Sequence, residues 1–419
     1  MARSKENLIA ALDVGSSKIC CFIAAHEPGS RPRIVGIGHQ ISKGLKRGTV
    51  TDMDALELSI LNAVHGAEQM AGETIRSVIL NLSGGLPRSI GVDVKLEGLG
   101  HGIQDNDINR LLEQANEPAV NGVEHELVHF IPTSFSVDGH TGIQDPRGMY
   151  ADKLGAHILT VSAQKSAVRN LITCVNQCHL DVEDIVISPY ASGLSTLMED
   201  ELDLGATLID MGGGVTSIAV FESNKLFFAD VAPVGGNHVT SDIATGLSTP
   251  AGQAERLKTL YGAATVSNSD DNEFIEVPSL GDESFRQTQQ VPKSHLTQII
   301  QPRLEEILEM VKRKLQENNV YHLGGKRVVL TGGACQLPGT AELAANILGK
   351  NVRIGKPLRI AGLAETNGGP AFSTCAGLIQ YALEHGDENR AGLIGSFSGA
   401  SPSSGGFFDR LSSWFQGGF

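Results

Sequence analysis

The chain is short of several things, and each shortage removes a class of function. Basic residues are outnumbered, with 33 Lys and Arg against 47 Asp and Glu and a formal net charge of −14. A general nucleic-acid binder neutralises phosphates with a basic surface, so no nucleic-acid partner is expected. No apolar run approaches the length of a membrane-spanning helix. The N-terminal run ends at Asp13, too soon for the core of a signal peptide. The cysteines Cys20, Cys21, Cys174, Cys178, Cys335 and Cys375 form no CxxC pair. Cys174 and Cys178 precede His179, but a full zinc ligand set is missing, and both are read as the buried face of a helix. A reducing, cytoplasmic compartment is the default. Two common nucleotide signatures are also missing. No GxxxxGK[ST] occurs, and Gly324-Gly325-Lys326 lacks the spacing and leads into a strand. No GxGxxG opens a helix after a strand. P-loop NTPases and dinucleotide enzymes are thereby disfavoured.

What is present is a repeat. The 419 residues suggest two or more domains, and apolar residues at 41% suffice for a sizeable core. Residues 8–23, LIAALDVGSSKICCFI, and 206–221, ATLIDMGGGVTSIAVF, share one pattern. Each is a buried strand, an Asp, one apolar residue, a Gly/Ser turn and a second apolar strand. Asp13 aligns with Asp210, Gly15 with Gly212, and Ser17 with Gly214. The rest alternates α and β. Helical spacing of apolar residues covers 54–71, 164–179 and 296–315, the last with Pro302 expected to kink or restart it. VVLTGG at 328–333 reads as a buried strand entering a glycine turn.

Two segments read as insertions. Residues 84–162 combine strand-like runs with a helix near 105–116. Residues 246–322 read as helical with a polar stretch at 267–290. From about 386 the chain turns Gly/Ser-rich, as a flexible linker does.

An Asp at a strand end followed by a tight Gly/Ser turn suits phosphate. Glycines let backbone N–H groups approach phosphate oxygens, and the carboxylate holds Mg²⁺, mostly through water. Asp13, Gly15, Ser16, Ser17 and Lys18 form one such set, and Asp210, Gly212, Gly213, Gly214 and Thr216 the other. Ser16, Ser17 and Thr216 are expected to donate hydroxyl hydrogen bonds. A third turn, Thr331-Gly332-Gly333-Ala334, lets an adenosine lie flat against the backbone. Alone, one such turn is more often structural; three in order specify a nucleoside triphosphate, ATP with Mg²⁺, between two similar halves.

These motifs resemble the superfamily of actins, Hsp70 chaperones and sugar kinases. Within it the chain resembles the bacterial cell-division FtsA family. DVGSSK (13–18) and IDMGGGVTSIAVF (209–221) look like the two phosphate motifs, and VVLTGGACQLPG (328–339) like the adenosine motif. GGPAFSTCAGL (368–378) resembles a connecting helix. VGGNHVTSDIA (234–244) and AERLKTLYGAA (254–264) resemble family segments. The resemblance adds Gly235, Gly236 and Asn237 to the phosphate set. It puts Glu255, Lys258 and Gln336 with Gly332, Gly333 and Ala334 around the adenosine. It implies an α/β actin-like (ribonuclease H-like) fold of duplicated domains flanking a nucleotide cleft. Subdomain 1A would be 1–83 and 163–196, the FtsA-type 1C insertion 84–162, 2A 197–245 and 323–385, and 2B 246–322. A linker would cover 386–405 and an amphipathic helix 406–419. DPRGMYADKL (145–154) looks like the 1C pattern.

The implied function is an ATP-dependent structural protein at the division site, peripheral on the cytoplasmic face of the inner membrane. It would form filaments through 1C and bind the C-terminal tail of the tubulin-like FtsZ on 2B, where Arg303 matches a basic position. It would also recruit later division proteins. One departure bears on activity. The first connecting segment, ISPYASGLSTLM (187–198), has no Gln, Glu or Asp to orient an attacking water. At most weak ATP hydrolysis is expected, and no catalytic residue is assigned.

At 100° per residue, Phe407, Phe408, Leu411, Trp414 and Phe415 share one arc of the terminal segment, and polar residues fill the rest. Their partial burial in lipid amounts to roughly 5 kcal/mol before ordering costs. That is marginal for one helix and firm for many presented together. A small-metabolite kinase of this fold would leave the tail unexplained and lacks a base in the connecting segment. An Hsp70-type chaperone needs a further β-rich domain. A PilM-like assembly protein is the nearest rival, without such a tail in its usual form.

Overall fold

The apolar runs interrupted at Asp13 and Asp210 fold as the same hairpin twice. In the computed structural model, residues 7–26, 30–120, 124–267, 270–280, 288–358, 360–363 and 367–385 are described. Strand β1 (Asn7–Val14) pairs antiparallel with β2 (Lys18–His26), and β2 with β3 (Arg33–Ile41). A short ribbon, β4 (Leu45–Lys46) and β5 (Thr49–Val50), leads into helix α1 (Met53–Ala71). Asp52 caps α1 by accepting the Ala55 N–H, and Gly72 ends it in the left-handed region. Strand β6 (Ser77–Leu82) then joins β1 in parallel.

The first insertion follows. It holds β7 (Arg88–Gly102), α2 (Asp105–Val120), β8 (His125–Val137), β9 (His140–Ile143) and β10 (Tyr150–Gln164). Its sheet runs β7-β10-β8-β9, with its own core of Ile108, Leu111, Phe135, Leu154 and Ile158. Helix α3 (Lys165–Gln177) and β11 (Asp181–Ile187) complete the first half, with sheet order β11-β6-β1-β2-β3.

Helices α4 (Ser188–Thr196) and α5 (Glu199–Leu204) lead to β12 (Ala206–Met211), β13 (Thr216–Glu222), β14 (Lys225–Ala232) and α6 (Gly236–Gly246). The second insertion contains α7 (Ala251–Tyr261), β15 (Phe274–Pro278), β16 (Thr288–Pro292) and α8 (Lys293–Glu317). Then come β17 (Arg327–Thr331), α9 (Thr340–Leu348), β18 (Asn351–Ile354) and α10 (Ser373–His385). The second sheet, β14-β13-β12-β17-β18, matches the first strand for strand, antiparallel on one side and parallel on the other. The fold is α/β and duplicated, as expected.

Both faces of the first sheet are covered, which explains why β1 reads as a continuous apolar run. One face packs Leu12, Ile23 and Leu80 against Leu56 and Ile60 of α1 and Leu171 of α3. The other packs Ala11, Phe22 and Ile79 against Ala191 of α4 and Cys375, Leu378 and Ile379 of α10.

Two expectations need correction. Helix α8 is unbroken through Pro302. Its stripe of Leu296, Ile300, Leu304, Ile307, Leu308, Val311 and Leu315 is fully buried on both sides of the proline, and that burial outweighs one missing hydrogen bond. The stretch 267–290 is not merely polar, because β15 and β16 form an antiparallel hairpin with Ile275 and Val277 buried. Cys174 and Cys178 are buried, and no cluster of three or more metal-ligating side chains occurs among the described residues. Residues 386–419, including the linker and terminal helix expectations, lie outside the described residues.

A buried ion pair ties α5 to β18. Glu201, with a side chain 4% exposed, accepts from Arg353 Nε at 2.7 Å and from Arg353 Nη2. Burial alone would raise the Glu201 pKa, but Arg353 and the Met198 N–H carry it below the ordinary glutamate value. A depressed carboxylate pKa contributes stability at neutral pH that is lost as pH falls through the folded-state value. Glu201→Gln is therefore expected to cost about 2 kcal/mol at pH 7, discounted because Arg353 is partly exposed, and less at pH 3.5. Urea midpoints at the two pH values check this; equal losses at both would contradict it.

Candidate functional site

The two hairpin turns close in the same way. Gly15 N–H donates to the Lys18 carbonyl at 3.0 Å, and Gly212 N–H donates to the Val215 carbonyl at 3.0 Å. Register matches too, with Asp13 opposite Cys20 and Asp210 opposite Ser217. Both turns line one cleft of about 400 Å³ between the halves. Asp13, Gly15, Ser16, Ser17 and Lys18 line it from the first half. Asp210, Gly212, Gly213, Gly214, Gly236 and Asn237 line it from the second. Ser17 Oγ donates to Asn237 Oδ1 across the cleft at 2.9 Å.

The two aspartates are buried, and each is held by polar groups from a neighbouring element. Asp13 Oδ1 accepts from Asn81 Nδ2 at 2.7 Å, and Asn81 Oδ1 accepts the Val14 N–H at 2.6 Å. Asn81 also donates to Ser188 Oγ at 3.0 Å. Asp210 Oδ2 accepts from Ser192 Oγ at 2.7 Å and Thr374 Oγ1 at 3.1 Å. Burial pushes the Asp13 carboxyl up to about 7, while Lys18 pulls it down and Asp210 adds to the rise. Asp210 is raised by burial as well, against the hydrogen bonds of Ser192 and Thr374 and the charge of Lys18. Two desolvated carboxylates facing one cavity disfavour double ionisation unless a cation lies with them. This donor set fits Mg²⁺.

Lys18 is tied to the segment that leads into α10. Its Nζ donates to the Ala371 carbonyl at 2.6 Å and lies 3.3 Å from the centre of the Phe372 ring. On the adenosine side, Glu255, Lys258, Gly332, Gly333, Ala334 and Gln336 all line the cleft. Gly332 has φ +85°, and a Cβ there would stand 2.4 Å from Asp210 Oδ1, so only glycine fits. Lys258 Nζ bonds Glu255 at 2.7 Å and Thr240 at 2.8 Å.

Two expected phosphate contacts do not reach the cleft. Thr216 is fully buried and donates its hydroxyl to the Val234 carbonyl at 2.8 Å. Gly235 packs on the second turn, where a Cβ would stand 2.5 Å from the Gly212 carbonyl oxygen. Arg303 lies on α8 outside the cleft lining, bonded to Asp242 at 2.6 and 3.0 Å and to Glu306. Asn81, Ser188, Ser192 and Thr374 escaped the sequence reading. Each is a polar residue that the fold buries or half-buries beside the aspartates, and buried polar groups need partners, but the neighbouring serines and threonines of α4 and α10 leave no signal in the sequence that singles these out.

Family models match two parts of the chain: "Cell division protein FtsA" over 207–377 and "SHS2 domain inserted in FTSA" over 84–162. The cell division protein FtsA of Rhizobium meliloti (strain 1021) is 40% identical, covering 99% of this chain and 96% of that one. That of Escherichia coli (strain K12) is 32% identical, covering 98% and 97%. Among solved structures, a chain of a PilM-PilN type IV pilus biogenesis complex aligns with TM-score 0.64 at 18% identity, over 90% of this chain and 98% of its own. MreB5 of Spiroplasma citri bound to ADP aligns with TM-score 0.51 at 11% identity, over 90% and 96%. Duplicated sheets, a cleft between them, the insertion after β6 and near full-length likeness to curated relatives agree: the chain belongs to the FtsA family of cell division proteins, on the actin-like fold.

Proposed function

We propose that this chain binds ATP with Mg²⁺ in the cleft and polymerises on the inner membrane, anchoring FtsZ filaments there and recruiting later division proteins. The observation that carries the nucleotide reading is the pair of equivalent turns, with Asp13 and Asp210 buried on one cavity. Asp13 and Asp210 would hold Mg²⁺, which supplies positive charge against the phosphate oxygens and keeps much of its own water. Backbone N–H groups of both turns bind phosphate, and Ser17 and Asn237 join the two halves over it. The glycines at 332 and 333 leave a flat bed for the base.

Helix α4 carries serines to Asn81 and Asp210 but no carboxylate or carboxamide. That supports a nucleotide used to set closure of the halves rather than as a fast substrate. A closed and an open subunit present different surfaces to a neighbour, so closure is a means of controlling polymerisation. On 2B, Arg303 already pairs with Asp242 and Glu306, so docking of the FtsZ tail on this arginine would proceed by exchange of partners.

The tail supplies the membrane link through Phe407, Phe408, Leu411, Trp414 and Phe415. Trp414→Glu is expected to remove most lipid-bound protein in liposome flotation, because it replaces the largest apolar side chain of the arc with a charge. Undiminished flotation would sink the membrane role. Electron microscopy on lipid monolayers with ATP tests the whole reading; filaments support it, and monomers that phosphorylate a small metabolite overturn it.

A further inference from the structure

The turn between β4 and β5 lies over both phosphate turns. Gly48 N–H donates to Ser16 Oγ at 2.9 Å. On the other half, a Cβ placed on Gly214 would stand 3.0 Å from Arg47 Cα. Behind the loop, a Cβ on Gly84 would come within 1.7 Å of the Gly48 carbonyl oxygen. The loop is thus wedged between Gly84 and the tips of the two turns.

Arg47 takes φ 52° and Gly48 φ 74°. Arginine seldom adopts that conformation, so packing fixes where its side chain leaves the loop. Arg47 is exposed and has no hydrogen bond or ion pair among the described residues. Its charge reaches the second half. At His238, in the first turn of α6, it opposes protonation, behind the larger effect of burial.

The loop rests on Ser16 and Gly214, which line the cleft, so phosphates laid from the adenosine bed along the two turns would end beside it. A terminal phosphate is the partner that an unpaired guanidinium there would bind, with two parallel N–H···O bonds. We propose that Arg47 is the residue by which the cleft distinguishes a nucleoside triphosphate from a diphosphate. The inference rests on the nucleotide reading and adds a residue to it. Because the loop touches both halves, the same contact makes closure depend on the terminal phosphate.

The test compares dissociation constants for Mg²⁺–AMPPNP and Mg²⁺–ADP on the full chain, by competition against a fluorescent nucleotide. Arg47→Gly removes the guanidinium and keeps the left-handed backbone without strain. It is expected to weaken AMPPNP roughly tenfold to a hundredfold and ADP by less than about threefold. Arg47→Lys, which keeps the charge but not the fork, is expected to fall between. Equal losses for both nucleotides would reduce the loop to a structural latch and overturn the proposal, as would no loss. A wild-type chain that binds neither nucleotide refutes the nucleotide reading itself, which is distinct from one that binds both while Arg47→Gly keeps their ratio.

Discussion

Asp210→Asn is expected to weaken Mg²⁺–ATP binding about a hundredfold while leaving the fold standing. The replacement keeps the shape, and its carboxamide oxygen still accepts from Ser192 and Thr374. What it removes is one of two desolvated negative charges in the cleft. A charge-assisted contact to a hydrated cation and its phosphates is worth about 1.5–3 kcal/mol, which sets the scale of the loss. Without ligand the variant is expected to melt at or slightly above the wild-type temperature, since Asp13 no longer faces a second carboxylate. Thermal shift assays separate the two effects. Ligand at a hundred times Kd stabilises the native state by about 2.7 kcal/mol, and at the same concentration the variant is expected to gain less than about 0.5 kcal/mol. A variant that still gained more than half the wild-type shift would mean that Asp210 is not part of the site.

Gly377→Ala is expected to be among the most damaging single-methyl changes. Gly377 lies where α10 crosses α4, and a Cβ there would stand 1.7 Å from the Ala191 carbonyl oxygen and 2.3 Å from its carbon. Backbone lies on both sides, so no flexible side chain can yield. Separating the helices also strains the bonds that join them, Ser195 Oγ to the Ser373 carbonyl at 2.7 Å and Ser192 to Thr374 at 2.9 Å. Overpacking of this severity costs about 3 kcal/mol or more, a fall in Tm of about 3 °C or more for a chain of this length. Gly252, in α7, is the control, because its Cβ would meet nothing within 4 Å. Alanine there is expected to leave Tm unchanged or raise it by a degree or two. Equal melting of the two variants would show that the crossing can open at little cost.

The sequence carried the duplication because the repeat is local. A strand, an Asp and a glycine turn follow one another within about a dozen residues, and their spacing is copied in the second half. The same holds for α1, α3 and α8, whose apolar spacing is regular. The groups that position the aspartates were not legible. Asn81, Ser192 and Thr374 come to Asp13 and Asp210 from other elements, and only the crossing of α4 and α10 brings Ser192 and Thr374 to one oxygen. Thr216 misled for the opposite reason. Its place beside the turn favoured phosphate, but its side chain is fully buried, and the Val234 carbonyl in the connection from β14 to α6 takes its hydroxyl. The hairpin β15–β16 was hidden by polar residues at its connection, which leave only a short alternation around Ile275 and Val277 to read.

Helix α10 has a consequence for how the protein is made. It closes the first sheet with Cys375, Leu378 and Ile379 against Ala11 and Phe22, yet the last strand of that sheet ends at Ile187 and α10 begins at Ser373. On the ribosome, the apolar face of β1 and β2 therefore waits, uncovered by α10, until nearly the whole second half has emerged. The first half cannot finish as an independent unit during synthesis, and both halves reach their final packing only once α10 has emerged. Premature termination within the second half would leave an open hydrophobic sheet, a product suited to proteolysis rather than to a truncated but working subunit.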